Sequence, residues 1–273
     1  MSDFLFYLSS IISGIYFIIG ILYIGYFFTN KKYLHSIGRV LTLLNIVIHV
    51  FFMIYFGKIE GRVPITSVFE AMTFLALLLA GLYVFIELST GVKSIGSFVF
   101  PLIFIFQLAA TFGITVVELD ESIFKSPLFG IHTITAMIGY SAFVFSMIIG
   151  IMYLTLFHEI KGKKLRFIYD RLPPLETMDK LNVRGFIVGF IFLTVGIISG
   201  VVWARRAWDD LSFFDPKIFL SWVLWLIYLV GIICRGVFRM SGRKLGFISM
   251  IGFTVMIFTF VFVNIIFPTI HEF

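Results

Sequence analysis

Five histidines, one cysteine and one loop crowded with rings and charges carry most of the chemistry available to this sequence. The loop reads WARRAWDDLSFFDPKIFLSW and sets Trp203, Trp208, Phe213, Phe214 and Trp222 among Arg205, Arg206, Asp209, Asp210 and Asp215. An aromatic belt at headgroup depth explains the rings, but it does not require five charges between them. His132 and His271, distant in sequence, each stand at the end of an apolar run on the same side as this loop. Two imidazoles can ligate one iron from opposite faces. Flat aromatics can wall a porphyrin, and Arg205 or Arg206 can meet its propionates through charge-assisted bonds. On spacing alone, two solvated imidazoles at helix ends are the simpler account.

His49 is a different case, because it falls near the middle of an apolar run with Asn45 one turn before it on the same face. Ionisable groups at that depth are costly and are functional candidates by default. A neutral imidazole bonded to a neighbouring helix is the equal alternative. Glu70 is a second charge inside an apolar run, with Arg62 or a loop arginine as its natural partner and a proton or a propionate as the other options. His35 and His158 stand among inner-side charges and are expected to be solvated. The single cysteine, Cys234, rules out an intramolecular disulfide, a CxxC thiol relay and a CxxCH site for covalent haem. No hydrolase triad, P-loop or zinc-protease helix is present, so no freestanding catalytic motif is assigned.

These residues need elements to hold them, and composition says which kind. The chain is 60% hydrophobic and 13% charged, far from the half apolar and quarter charged usage of soluble domains. A hydrocarbon core of about 30 Å takes roughly 20 apolar residues per helix, and eight such stretches occur. They lie at about 3–28, 40–57, 65–88, 97–117, 130–156, 185–203, 218–234 and 245–267. The fold class is therefore all-α, a polytopic membrane protein of eight transmembrane helices forming a single transmembrane domain, 1–273. The first run lacks a basic start and a small-residue cleavage site, so it is expected to stay as a span. Glycines at 14, 20, 25, 189, 196, 200, 246 and 252 fit close helix approach in lipid.

Charge sets the orientation. Segments 29–39, 91–96, 157–184 and 235–244 hold 15 of the 21 Lys and Arg residues. Basic residues stay on the cytoplasmic side, which puts both termini outside and the chain in a cytoplasmic-type, multi-pass setting. The net charge of +6 is then a topology signal, and nucleic acid is not an expected partner; the lipid bilayer is. The inner loop 157–184 breaks at Pro173 and Pro174 and continues LETMDKLNVRGF. Pro before Glu176 suits a helix start, and Leu175, Met178 and Leu181 share a face. A short helix on the inner membrane surface is expected there, with a docking site for a cytoplasmic partner as the sharper reading. The outer aromatic loop is placed at 203–217.

With these residues laid out, the sequence resembles the cytochrome c assembly family, which includes CcsA, ResC, CcmC and HemX types. The matching stretches are GRVPITSVFEAMTFL at 61–75, PLFGIHTITAMIGYSAFVFSMIIGIMYL at 127–154, LPPLETMDKLNVRGFIVGFIFLTVGIISGVVWA at 172–204, AWDDLSFFDPKIFLSWVLWLIY at 207–228 and FVNIIFPTIH at 262–271. They keep the family's order over about three quarters of the chain. The resemblance implies that 203–217 is a haem-facing loop and that His132 and His271 are external axial ligands. It also implies non-covalent haem b as cofactor, with apocytochrome c and a CcsB/ResB-like membrane subunit as partners. His49 matches a histidine often present in the corresponding span. Two features depart from the pattern. Ser212, Phe214 and Ile218 stand where the family has two tryptophans and an acid, and IICR at 232–235 stands where synthase-type members place a second membrane histidine. In these features the chain looks closest to HemX-type members, which are associated with control of glutamyl-tRNA reductase.

Three functions from different classes follow as expectations. The first is a haem-handling factor of cytochrome c biogenesis that presents haem outside, as part of a haem lyase or synthase. The second is a HemX-like regulator acting through 157–184. The third is a transporter, for which Asn45, His49, Glu70, Gln107 and Asn264 form no evident path in the sequence.

Overall fold

A computed structural model describes residues 2–113, 122–163, 167–207 and 216–262. Eight long helices carry the chain: α1 (Ser2–Thr29), α2 (Lys32–Glu60), α3 (Val68–Thr90), α4 (Gly96–Gly113), α5 (Pro127–Lys161), α6 (Leu175–Ala207), α7 (Pro216–Gly236) and α8 (Gly242–Ile257). A 3-10 turn at Ser122–Lys125 precedes α5, and a π-helical turn at Phe258–Phe262 continues α8. All eight are long and apolar enough to cross a membrane, so the chain is a multi-pass, all-helical membrane protein. At 1.5 Å per residue the 35-residue α5 is about 52 Å long, well beyond the hydrocarbon layer. Its ends therefore stand clear of the lipid tails.

That excess length is where the sequence expectations need correcting. Hydropathy marks the apolar stretch, and a helix continues into charged turns that hydropathy does not register. α2 starts at Lys32 rather than near 40, and α6 starts at Leu175 rather than near 185. The segment expected as a separate surface helix is thus the first turns of α6. It begins directly after Pro174, whose carbonyl accepts from the Thr177 and Met178 amides. For the same reason the expected loops 157–184 and 203–217 are shorter than drawn: residues 157–161 belong to α5, 175–184 and 203–207 to α6, and 216–217 to α7.

The described residues cluster into two compact units, 1–126 and 127–273. In the first, α1 packs against α2 and α4, and α3 packs against α4 and α2. Only Asn30 and Lys31 separate α1 from α2. Asn30 takes φ +56°, a left-handed conformation that asparagine tolerates better than most residues. Gly61 and Gly91, at φ +66° and +71°, end α2 and α3 in the same way. The interior is aromatic, with Tyr16, Tyr23, Phe52, Phe56, Tyr83 and Phe100 fully buried; Tyr23 stacks on Phe100 at 4.8 Å.

The α2–α3 turn is held by a buried ion cluster. Arg62 donates through Nη1 and Nη2 to both oxygens of Glu70, at 3.0 and 3.1 Å, and Nη2 stands 2.8 Å from Glu60. Ser67 caps α3 by accepting from the Glu70 amide, and the Glu70 carboxylate accepts from the Thr66 amide at 2.8 Å. Sequence Ser67-Val-Phe-Glu70 is a capping-box pattern, here with the acid reaching one residue further back.

In the second unit α5 packs against α6 and α8, and α7 packs against α8 and α6. Missing side chains set these distances. A Cβ on Gly139 would meet the Leu193 amide nitrogen at 3.0 Å, and one on Gly150 would meet the Gly246 carbonyl at 3.0 Å. Such small-residue seams let helices approach in lipid, where no hydrophobic force drives them together. Tyr228 is stacked on Phe143 and lies beside Phe186. On α6, Asp179 pairs with Arg235 of α7, and Asn182 accepts from Ser249 of α8 at 3.0 Å.

Breaking a buried ion pair by removing one partner costs about 3–5 kcal/mol. Glu70→Ala is therefore expected to lower the unfolding midpoint in detergent markedly. Glu176→Ala, which removes the exposed Lys180–Glu176 pair, should leave it where it is. Equal effects in the two variants would show that the Arg62 cluster does not hold the turn.

Candidate functional site

Pro127 opens α5, a position where its fixed φ suits the first turn and its missing N–H is no loss. His132 follows in the second turn. Opposite it, α6 presents Gly196, Gly200 and Trp203, spaced four and three residues apart and so on one face. The His132 Nδ1 lies 2.7 Å from the Gly196 carbonyl oxygen. A carbonyl can only accept, so Nδ1 carries the proton and the lone pair is on Nε2. Trp203 is buried and lies nearly parallel to the imidazole, 15° between planes at 6.2 Å; Phe129 meets the Trp203 ring at 5.0 Å. Gly200 makes room for this arrangement, since a Cβ there would come within 2.5 Å of His132 Nδ1.

The Gly196 bond fixes the ring plane and leaves Nε2 as the nitrogen with a lone pair. An imidazole that binds metal through one nitrogen commonly donates its other N–H to a carbonyl, which fixes the tautomer and the ring plane. Among the described residues no group of three or more His, Cys, Asp or Glu stands close enough to hold a metal ion.

Of the other expected site residues, Arg205 and Arg206 are exposed on the last turn of α6, free of the packed interface that holds Trp203. Trp208, Phe213, Phe214, Asp215 and His271 lie outside the described residues. Glu70 is in the first unit, with both carboxylate oxygens taken by Arg62, so it is structurally paired, one of the readings open from the sequence.

His49 is also in the first unit and is fully enclosed. Its Nδ1 lies 3.1 Å from the Tyr16 hydroxyl and its Nε2 2.9 Å from the Thr73 hydroxyl. Thr73 donates in turn to Gln107 Oε1 at 2.8 Å, Gln107 Nε2 donates to Ser9 at 3.0 Å, and Ser9 and Thr111 share a 2.7 Å bond. Asn45 donates to the Ile12 carbonyl one turn away. Asn45, His49 and Gln107, scattered in the sequence, thus meet in one polar layer of α1–α4. The available signals were Thr73 and Gln107 in mid-span and the shared α1 face of Ser9 and Tyr16.

At the other end of α2, the expectation of a solvated His35 is corrected. His35 is buried and its Nε2 lies 2.8 Å from Glu87, which also accepts from Tyr23 at 3.3 Å. The long α3 carries Glu87 back to the first turn of α2, and a buried carboxylate needs such partners. His158 is exposed, as expected.

A family model described as "Cytochrome C assembly protein" matches residues 65–271. Among curated proteins, the cytochrome c biogenesis protein CcsA of Chlamydomonas reinhardtii is 28% identical over 265 residues, covering 93% of this chain and 72% of its own length. CcsA of Prochlorococcus marinus (strain AS9601) is 26% identical over 272 residues, covering 89% and 86%. CcsA of Chlorella vulgaris is 26% identical over 248 residues, covering 78% of each. The expected nearness to HemX-type members finds no support in these relatives.

The Gly200 cradle is directly testable. Gly200→Ala forces the imidazole or the helix to move, an overpacking cost of about 1–3 kcal/mol, and should shift the His132 ring resonances. Gly14→Ala, facing open space, should change neither stability nor those resonances. Unmoved His132 signals in Gly200→Ala would mean that the cradle does not position the ring.

Proposed function

This chain belongs to the cytochrome c assembly protein family, and from that premise we propose that it holds haem at the extracytoplasmic face of its membrane and presents it for attachment to apocytochrome c. It is a multi-pass membrane protein of cytochrome c biogenesis. In this reading His132 and His271 are the axial ligands, and haem b is bound without covalent attachment. Trp203 together with Trp208, Phe213 and Phe214 walls the porphyrin, and Arg205, Arg206 or both meet the propionates. Asp215 closes the same loop. The cysteine thiols of ligation belong to the apocytochrome, since Cys234 is the only cysteine here.

One observation carries this reading: the Nδ1–H bond of His132 to Gly196, beside Trp203. The bond turns a flexible side chain into a donor with one lone pair in a fixed direction. Presentation would need just that, a ligand rigid enough to hold the macrocycle and labile enough, as one of two imidazoles, to release it. The haem supplies the iron and the vinyl carbons that become attached; the protein supplies binding and orientation. The basic excess on segments 29–39, 91–96, 157–184 and 235–244 supports the orientation, with both termini and the His132 end outside in a cytoplasmic-type membrane. A CcsB/ResB-like subunit is the partner this reading calls for.

Purified protein should therefore show a Soret band that His132→Ala and His271→Ala each weaken and that the double variant loses. A deletion strain should fail to mature c-type cytochromes, and His132→Ala should not restore them. Undiminished haem in the double variant, or normal cytochromes in the deletion strain, would reject the proposal.

A further inference from the structure

We infer that His49 is the hydrogen-bonding hub that joins α1, α2, α3 and α4 in a fixed tautomer, protonated on Nε2, and that it is not an iron ligand. The direction of the chain decides this. Tyr16 is fully buried, and its hydroxyl proton has His49 Nδ1 as its acceptor. If Nδ1 carried a proton, that hydroxyl would be left without an acceptor among the described residues, the unfavourable case for a buried donor. Nδ1 therefore accepts, and the ring proton is on Nε2, donated to Thr73. The Thr73 hydroxyl is then free to donate onward to Gln107 Oε1. Gln107 Nε2 donates to Ser9, Ser9 to Thr111, and Thr111 to the Gln107 backbone carbonyl at 2.8 Å. The ring N–H and the hydroxyls of Tyr16, Thr73, Ser9 and Thr111 each find an acceptor in this direction, and moving the ring proton to Nδ1 takes away the tyrosine's.

With Nδ1 accepting and Nε2 protonated, the ring has no lone pair to offer a metal. Nor does the unit hold a second imidazole to share an iron with it. The other histidine of residues 1–126 is His35, fourteen positions away on the same helix and so about 21 Å distant, and its Nε2 is bonded to Glu87. Each of the four helices contributes a member of the chain: Ser9 and Tyr16 from α1, His49 from α2, Thr73 from α3, and Gln107 and Thr111 from α4.

Nitrogen-15 spectra of histidine-labelled full-length protein, without haem, should show the His49 ring protonated on Nε2 and bare on Nδ1. His49→Gln, whose amide can still donate to Thr73 and accept from Tyr16, should keep most of the thermal stability, whereas His49→Leu should lose it. Added haem should broaden the His132 signals and leave those of His49 sharp, and His49→Gln should retain the wild-type Soret maximum. The opposite tautomer, or no rescue by glutamine relative to leucine, overturns the hub. Haem-induced broadening of His49, or a Soret shift in His49→Gln, overturns its exclusion from the iron. The haem arm rests on the function proposed above and the tautomer arm does not. A protein that binds no haem but shows the stated tautomer would sink that function and leave the hub standing.

Discussion

A hydrocarbon surrounding offers a buried polar group nothing to bond to except other protein, and that constraint governs where this chain's polar side chains go. The ionisable groups buried in the first unit are matched with one another or with hydroxyls: Arg62 with Glu60 and Glu70, His35 with Glu87, His49 with Tyr16 and Thr73. In water such pairs would compete with solvent and contribute little. Inside a helical bundle they fix which helix faces which, because any other rotation leaves a donor stranded. The aromatic and aliphatic residues fill the rest, and they tolerate rearrangement far better.

The second unit answers the same constraint with backbone. α5 and α6 approach so closely at Gly139, Gly196 and Gly200 that a main-chain carbonyl can serve as the partner of a side chain. Gly196 already gives its carbonyl to the helix ladder, and its second lone pair goes to His132. A side-chain acceptor would carry its own rotamer freedom; the carbonyl is held by the helix on both sides. The imidazole inherits that stiffness, and Trp203, two turns beyond Gly196, lies beside it.

Much of this was legible in the residues. The eight apolar runs named the helices, because length and hydropathy suffice where the solvent is lipid. The ends were less legible: α2 and α6 continue through Lys32, Arg39, Lys180 and Arg184, whose charges interrupt the hydropathy signal but not the backbone bonds. His132 and Trp203 stood out by type, and the glycines of α6 read as packing. That one of those glycines accepts from the histidine and another makes room for it depends on helix rotation, which no spacing rule supplies. His49 shows the same limit: mid-depth burial flagged it, while its partners come from two other helices, α1 and α3. His35 misled because neighbouring lysines suggest water, whereas Glu87 reaches it only through the fold.

The two-residue link at Asn30 and Lys31 has a further bearing on how the polypeptide enters its bilayer. Helices so tightly joined leave no tether for one to be threaded while the other waits elsewhere, so α1 and α2 are integrated as a single hairpin. In the orientation proposed above, the paired lysines at the bend, Lys31 and Lys32, would anchor both segments at once on the side where basic residues are retained.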